Sequence, residues 1–456
     1  MSPQLWFLIR ISCFTRKGRY NALKILMSAY ACCPHAGSEP GSGWNWALQM
    51  ARWHEVWVIT RPKNRQPIEA ALTGELRRNL HIAYVDLPGR ARWWWRLGKP
   101  LGWARYYWWQ HCAYREALKL HTQIRFDLAH HVTFASWRAP SFLWRLGIPF
   151  IWGPLGGGQE IPQGFGRSLG MRGRMSNVTR AVWQRLSYID PAVRATRQHA
   201  AAVLAGNRET EKLLMRLPGV TPSILPLASY QERTHPRSTL LRKISNHSGC
   251  IRLLWVGRIE PWKGLHLLIM ALGRLALEKR GLIDFHLDVV NIGPDMDRCR
   301  KMAVSLGLAD RISFLGHLQS HAEVLELYSQ SDVFVFTSLC ESLGMVLLEA
   351  MDAGLPAICF AHGGPDIIAD PDCAIMITPK SAEYVIEKLA EAILALAHRS
   401  ELRTSMGQSA RRRAEENFAW HVLGERMNVI YLRAASEVTT VRSAVTQTPS
   451  SNERPL

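Results

Sequence analysis

The chain has 456 residues, enough for roughly two or three domains each with its own core, and its 47% hydrophobic and 20% charged content is that of a folded protein. Fifty-six Lys and Arg against 37 Asp and Glu give a net charge of +19, a field that attracts polyanions such as nucleic acid, anionic lipid headgroups or phosphorylated small molecules. Nine cysteines, an odd count with no C-x-x-C pair, argue against a disulfide framework or a cysteine zinc site and read as reduced thiols of a cytoplasmic protein.

Residues 1–22 read as an extension or weak surface anchor. Leu5 to Ile9 is apolar, but Arg10 ends the run well short of the ~20 residues that a spanning helix needs, and no later segment reaches that length. From residue 23 short apolar runs alternate with helical stretches. Strands are expected at Leu23–Ala29, Val56–Thr60, His81–Leu87, Phe126–Val132, Pro149–Gly153 and Ala201–Ala205, with helices over Trp44–Trp53 and Trp103–His121. The runs are continuous rather than alternating, as in strands of a parallel sheet covered on both faces. Residues 229–250 are polar and irregular and read as a linker between a first domain, 23–228, and a second, 251–416. The second repeats the alternation. Its strands are expected at Ile251–Val256, Phe285–Val290, Ile312–Leu315, Val333–Phe336 and Pro356–Phe360, and its helices at Gly264–Arg280, Ala322–Tyr328 and Gly344–Ala353. Residues 417–435 form a C-terminal helix that can cross back to the first domain, and 436–456 read as a disordered tail. The fold class is α/β, two Rossmann-like doubly wound domains facing across a cleft. Ligands of such sheets sit beyond the carboxyl ends of the strands.

The strongest chemical signal is Glu341-Ser342-Leu343-Gly344-Met345-Val346-Leu347-Leu348-Glu349, two acids bracketing a glycine-containing helix start just after a strand. The free N–H groups and positive end of such a helix suit a diphosphate. Glu349, further along, can accept hydrogen bonds from ribose hydroxyls, and Glu341 from sugar hydroxyls. A capped helix beside a solvated acid is an equally good reading of this segment alone. The second signal is Gly257-Arg258-Ile259-Glu260-Pro261-Trp262-Lys263-Gly264 after the strand Ile251–Val256, where an Arg and a Lys can converge on one anion. Alone, it reads more readily as a basic loop; with the acid pair, the balance reverses. No G-x-x-x-x-G-K-[ST] loop occurs, and the first strand is not followed by the G-x-G-x-x-G of a dinucleotide oxidoreductase.

Together these residues resemble the retaining glycosyltransferases of the GT-B fold, in the large family 4, which has a G-R-x(n)-K-G loop and an E-x7-E signature in its second domain. The likeness runs over nearly all of residues 23–432 and includes the sequel Ala350–Pro356 and His362-Gly363-Gly364-Pro365. The resemblance implies that Arg258 and Lys263 bind the donor diphosphate and offset the charge growing on the leaving group. It also implies that Glu349 binds the ribose, that Glu341 lies near the transferred sugar, and that Gly257 and the amides of Leu343, Gly344 and Met345 line the phosphates. No metal and no cofactor are implied, the nucleotide sugar being a substrate.

In the first domain Gly37, Gly41 and Gly43 stand where the family has a glycine-rich loop, and they permit close backbone approach to a ligand; an ordinary strand-to-helix turn is the competing reading. Gly153–Gly158 suits either a mobile loop over the cleft or a flexible turn. His130 and His131 end a strand near the point where the family often has a histidine close to the sugar, but Val132 takes the second histidine position of the usual pattern, so which of the two faces the cleft stays open. Pro88 to Arg115 interleaves Trp93, Trp94, Trp95, Trp103, Trp108 and Trp109 with Arg90, Arg92, Arg96, Lys99 and Arg105, a composition shared by interfacial membrane surfaces and by helices packed on a sheet.

The reading is a hexosyltransferase, mannosyl or glucosyl in type, acting from a nucleotide sugar on a glycan or lipid-linked acceptor in cell-surface polysaccharide or glycolipid synthesis. A membrane surface on the inner face is a further candidate partner, and nucleic acid is disfavoured for want of a recognition motif. A nucleotide-sugar epimerase of the same fold and a catalytically degenerate membrane-associated scaffold are the alternatives. The Arg258, Lys263, Glu341 and Glu349 set argues against both.

Overall fold

The computed structural model describes residues 22–88, 102–166, 168–230, 249–278 and 283–446. The extension 1–21, the tail beyond 446, most of the linker and the Trp93–Trp95 cluster lie outside them. Two parallel sheets organise the rest. The first contains β1 (Lys24–Ala29), β2 (Glu55–Thr60), β3 (Leu80–Tyr84), β4 (Leu128–Thr133), β5 (Phe150–Leu155), β6 (Ala202–Ala205) and β7 (Ser223–Ile224), in the order β3-β2-β1-β4-β5-β6-β7. The second contains β8 (Cys250–Val256), β9 (Asp284–Val290), β10 (Ile312–Gly316), β11 (Val333–Phe336), β12 (Ala357–Phe360) and β13 (Ala374–Ile377), in the order β10-β9-β8-β11-β12-β13. The central strands are apolar because helices cover both faces: β11 reads VFVF and β12 AICF, and every residue in them is buried.

The helices that matter below are α1 (Ser38–Met50), α2 (Gly102–Ile124), α3 (Gly170–Ile189), α4 (Pro191–Gln198), α5 (Arg208–Leu214), α6 (Leu265–Glu278), α7 (Met296–Ser305), α8 (His321–Gln330), α9 (Met345–Asp352), α10 (Ala382–His398), α11 (Ser400–Phe418) and α12 (Trp420–Thr446). Several starts are fixed by side chains, as expected for Ser and Asn at these positions. Asn207 accepts from Thr210 N at 2.9 Å ahead of α5, and Ser320 and Glu323 form a reciprocal capping box at α8.

Strand order reverses between β1 and β4 and again between β8 and β11. Successive connections leave these neighbours in opposite directions, so a crevice opens at their carboxyl ends. The loops after β8 and β11 hold Gly257, Arg258, Lys263 and Glu341–Gly344, whereas His130 and His131 lie within β4 and Gly41 and Gly43 within α1.

Three expectations change, and one that was open is decided in part. Strands β7 and β13 and the long helix α3 were not foreseen. Residues 436–446, expected as part of a disordered tail, continue α12. Ser229 and Tyr230, expected in the linker, are buried with the first domain's core. Trp109 and Tyr106 of the aromatic stretch are core residues of α2: Trp109 Nε1 donates to Val85 O at 2.9 Å and Tyr106 Oη to Pro140 O at 3.0 Å.

The last helix joins the two domains. α12 follows α11 of the second domain directly but lies on α1 and β4 of the first. Trp420 meets Trp46 edge-to-face at 5.3 Å, Asn428 Oδ1 lies 2.7 Å from His54 Nε2, and Gly424 sits against Gln49. One hydrophobic cluster consequently runs from Met27 and Trp46 through Trp420 to Leu347 and Met351.

Candidate active site

The loop after β8 is a tight structure that delivers Lys263 to the end of β11. Pro261–Lys263 forms one turn of 3-10 helix closed by Gly264 at φ +70°, where a Cβ would sit 2.2 Å from Thr337 O. Only glycine fits both the left-handed conformation and the approach. Thr337 Oγ1 donates to Lys263 O at 2.9 Å and accepts from Trp255 Nε1 at 3.1 Å, and Leu339 N donates to Trp262 O at 2.8 Å. So anchored, Lys263 Nζ donates to Glu341 Oε2, with both side chains largely buried. Arg258 points elsewhere. Its guanidinium pairs with Glu260 at 2.7 Å and is two-thirds exposed. The two cations expected to converge on one anion are each held by a different carboxylate.

The acid pair brackets a real helix start. Gly344, at φ +97°, precedes α9 and accepts from Leu347 N at 2.9 Å; a helix start leaves the amides ahead of that bond to partners outside the helix. Glu349 is on the next turn. Its carboxylate accepts from Tyr328 Oη at 3.2 Å and lies 3.3 Å from His321 Nε2, so it is held by α8. The His-Gly-Gly-Pro run fits against the same segment. Gly364 N donates to Glu341 O at 3.0 Å, and a Cβ on Gly364 would meet Leu343 O at 2.0 Å. These glycines form the bed on which Glu341–Leu343 rests.

Sequence reasoning missed how the first domain reaches this segment. Ser342 O accepts from Asn207 Nδ2 at 2.8 Å, and Ser342 Oγ accepts from Gln159 Nε2 at 2.5 Å. Gly363 N donates to Glu209 Oε1 at 3.1 Å, His362 Nε2 lies 2.7 Å from Glu160 O, and Arg208 pairs with Asp366 at 3.4 Å. The glycine run after β5 is what allows this closeness: Gly156 lies against Ser342, and a Cβ on Gly158 would strike Thr210 at 2.5 Å. The run is a packed turn under the second domain. The only trace of this in the sequence is the glycine cluster beside a polar segment after β6.

The first domain's own candidates fare differently. Gly41 and Gly43 lie inside α1, and the space their missing side chains leave is filled by the chain itself: a Cβ would meet Ala36 O at 1.9 Å and Ala31 O at 2.2 Å. In this structure the missing side chains allow close internal packing. His130 is fully buried, with Nδ1 at 2.5 Å from Tyr431 Oη and Nε2 at 2.5 Å from Gly153 O. Burial pushes its pKa down to about 3. Both ring nitrogens are thus engaged by the protein itself, which leaves His130 no free nitrogen in this arrangement. His131 is also buried and held at about 4 by burial, but neither ring nitrogen has a well-formed hydrogen bond, the backbone of Phe134 being the polar group beside it. Of the two, His131 alone keeps uncommitted nitrogens.

Residues 238–413 match the family model described as glycosyl transferases group 1. The second domain is a group 1 glycosyl transferase domain. The D-inositol 3-phosphate glycosyltransferase of Geodermatophilus obscurus is 32% identical over 211 residues, 44% of this chain and 44% of that one. The chain thus aligns with less than half the length of the curated relatives it matches. Likeness in fold extends over both domains. Sucrose-phosphate synthase from Thermosynechococcus elongatus superposes with a TM-score of 0.63 at 17% identity, covering 91% of this chain and all of that one. Anabaena HepE, solved in complex with UDP and glucose, gives 0.54 at 15% identity over 90% of this chain and 99% of that one. The architecture is GT-B: a group 1 domain closing on a second Rossmann-like domain.

Proposed function

We propose that this GT-B protein transfers a hexosyl unit from a nucleoside diphosphate sugar to a hydroxyl of a saccharide or lipid-linked acceptor, with retention of anomeric configuration. The observation that carries the reading is Lys263 held against Glu341 at the carboxyl ends of β8 and β11, beside the start of α9. A diphosphate entering there exchanges a carboxylate partner for phosphate oxygens. Lys263 turns from Glu341, and Arg258, exposed and paired only at the rim, swings from Glu260. Release of Glu341 frees its carboxylate for the sugar hydroxyls. The amides of Leu343, Gly344 and Met345 face the phosphates, and Glu349, already held by Tyr328, accepts from the ribose.

In the transfer, the acceptor oxygen bonds to the anomeric carbon as the bond from that carbon to the phosphate oxygen breaks. The acceptor's proton passes to the departing diphosphate. The charge that grows on the diphosphate is met by Arg258, Lys263 and the helix amides, which are fixed before the reaction. The Gln159 and Asn207 contacts to Ser342 close the first domain over the donor and exclude water. The hexosyl type, the membrane-facing setting and a role in cell-surface polysaccharide or glycolipid synthesis belong to the same proposal; HepE with UDP and glucose supports a nucleotide-sugar donor.

The test is nucleotide release from a panel of UDP-, GDP- and ADP-sugars without acceptor, beside Lys263→Ala. Slow hydrolysis of one donor, lost in the variant, supports the reading. No release and no thermal shift with any donor defeats it.

A further inference from the structure

Helix α3 is inside out. Seven large apolar side chains on it are exposed, from Met171 at 77% through Met175, Val178, Val182, Trp183 and Leu186 to Ile189 at 68%. All but Trp183 fall within a narrow arc of the wheel at 3.6 residues per turn, and Trp183 flanks them. The residues that face the protein are small or polar: Gly173, Gln184 and Ser187 are the buried ones. Gly173 lies against Pro261, Gln184 Nε2 donates to Gly157 O at 3.2 Å, and Arg180 contacts Cys340 and lies over the Trp262 ring. The helix therefore bridges the two domains with its polar side, beside the Pro261–Lys263 turn and Cys340. Its apolar stripe, about 30 Å long at 1.5 Å per residue, faces outward. A soluble protein rarely leaves so large a contiguous apolar surface without a partner.

Charge decides what covers it. Between Glu160 and Asp190 the chain carries Arg167, Arg172, Arg174, Arg180 and Arg185 and no acid. Two copies of α3 meeting through this face would bring arginines against arginines. Two apolar segments outside the described residues are no better suited. Residues 1–21 hold Arg10, Arg16, Lys17 and Arg19 without an acid, and 89–101 hold Arg90, Arg92, Arg96 and Lys99 without an acid. An apolar stripe with basic flanks is the pattern of a helix lying in the headgroup plane of an anionic bilayer.

We infer that α3 is a membrane-docking helix that seats the junction of the two domains on an anionic lipid surface. This deepens the transferase reading, and rests on it, only in placing the acceptor at that surface. With the stripe immersed, Trp262 and Cys340 lie one helix thickness from the headgroups, so a lipid-linked hydroxyl reaches the donor without leaving the bilayer. A water-soluble acceptor would have no use for this arrangement.

The experiment is co-sedimentation of the full-length protein with vesicles of phosphatidylcholine and phosphatidylglycerol, roughly two to one, against phosphatidylcholine alone. Met175→Glu/Val182→Glu is the variant. Both side chains are exposed, so the fold is retained, which circular dichroism and the melting temperature check. The expected result is binding about tenfold stronger to the anionic vesicles than to the neutral ones, weakened by salt and cut about tenfold or more in the variant. No binding of the unaltered protein to anionic vesicles overturns the inference, as does undiminished binding by a folded variant. A dimer in sedimentation velocity that the variant abolishes also overturns it and gives the face to a second copy. Donor hydrolysis is followed in the same samples. Vesicle binding without hydrolysis supports docking while defeating the transferase reading; hydrolysis without vesicle binding does the reverse.

Discussion

The two sheets place loops at equivalent points, but they use them in opposite ways. At the switch point of the second sheet, Lys263, Glu341 and the start of α9 present charge and amides to the crevice. At that of the first, the glycines of α1 close on the carbonyls of Ala31 and Ala36, and His130 is locked between Tyr431 and Gly153. One wall is arranged for a ligand; the other, at its base, is filled by its own chain and reaches the site through later loops at Gln159, Asn207 and Glu209. Equivalent topology thus fixes where a site can form, and the local side chains decide whether one does.

The contrast can be broken most directly at Lys263. Lys263→Ala is expected to lower donor turnover about a hundred- to a thousandfold, measured as nucleotide release, because it removes a cation aimed at the leaving group. Gly364→Ala tests the bed beneath Glu341. A Cβ 2.0 Å from Leu343 O forces that strand end to move, and about 3 kcal/mol of stability should be lost in chemical denaturation. His130→Gln tests the other wall. It should cost about 2 kcal/mol through the disturbed bonds to Tyr431 and Gly153 and leave turnover per folded molecule unchanged. A large fall in turnover with stability intact would erase the contrast.

Much of this was legible beforehand for a simple reason: buried parallel strands are continuous apolar runs, and β8, β9, β11 and β12 stand within a residue or two of their expected positions. Arg258, Lys263 and Glu341 were legible as residue types in loops after strands, and Glu349 as an acid on the helix that follows. Their pairing was not, because nothing in the spacing says that Lys263 meets Glu341 while Arg258 meets Glu260. The choice between His130 and His131 was not legible, because the partner that holds His130, Tyr431, lies 301 residues away on a helix that crosses between domains. Helix α3 carries apolar residues at helical spacing, but Gly170 and Gly173 weaken the local helix signal, and nothing in the spacing says that the apolar face points outward.

Acidification sharpens the picture of buried histidines in both domains. Burial holds His130 and His266 at about 3 and His131 at about 4, with Arg298 adding to the effect at His266. In the unfolded chain each takes up a proton as the pH falls through ~6.5. The folded chain stays neutral, so stability is full above that value and declines as the pH drops toward 4. His266→Phe should flatten this decline by roughly 1.4 kcal/mol per pH unit between pH 6 and 4, read from denaturation midpoints. The smallest effect is expected at the domain contact: Gln159→Ala removes one hydrogen bond to Ser342 and should raise the donor KM about fivefold with little change in melting temperature.

The return of α12 to the first domain also bears on how the chain comes into being. β1 is made well before α12, yet Trp420, Asn428 and Tyr431 of α12 cover Trp46, His54 and His130 of the first domain. A ribosome has made both sheets before it releases the helix that shields this face. The first domain must therefore wait, with an apolar flank open to water and to chaperones, until α12 emerges. A nascent chain stalled at residue 415 should show that face to proteases, and one from which α12 has emerged should hide it.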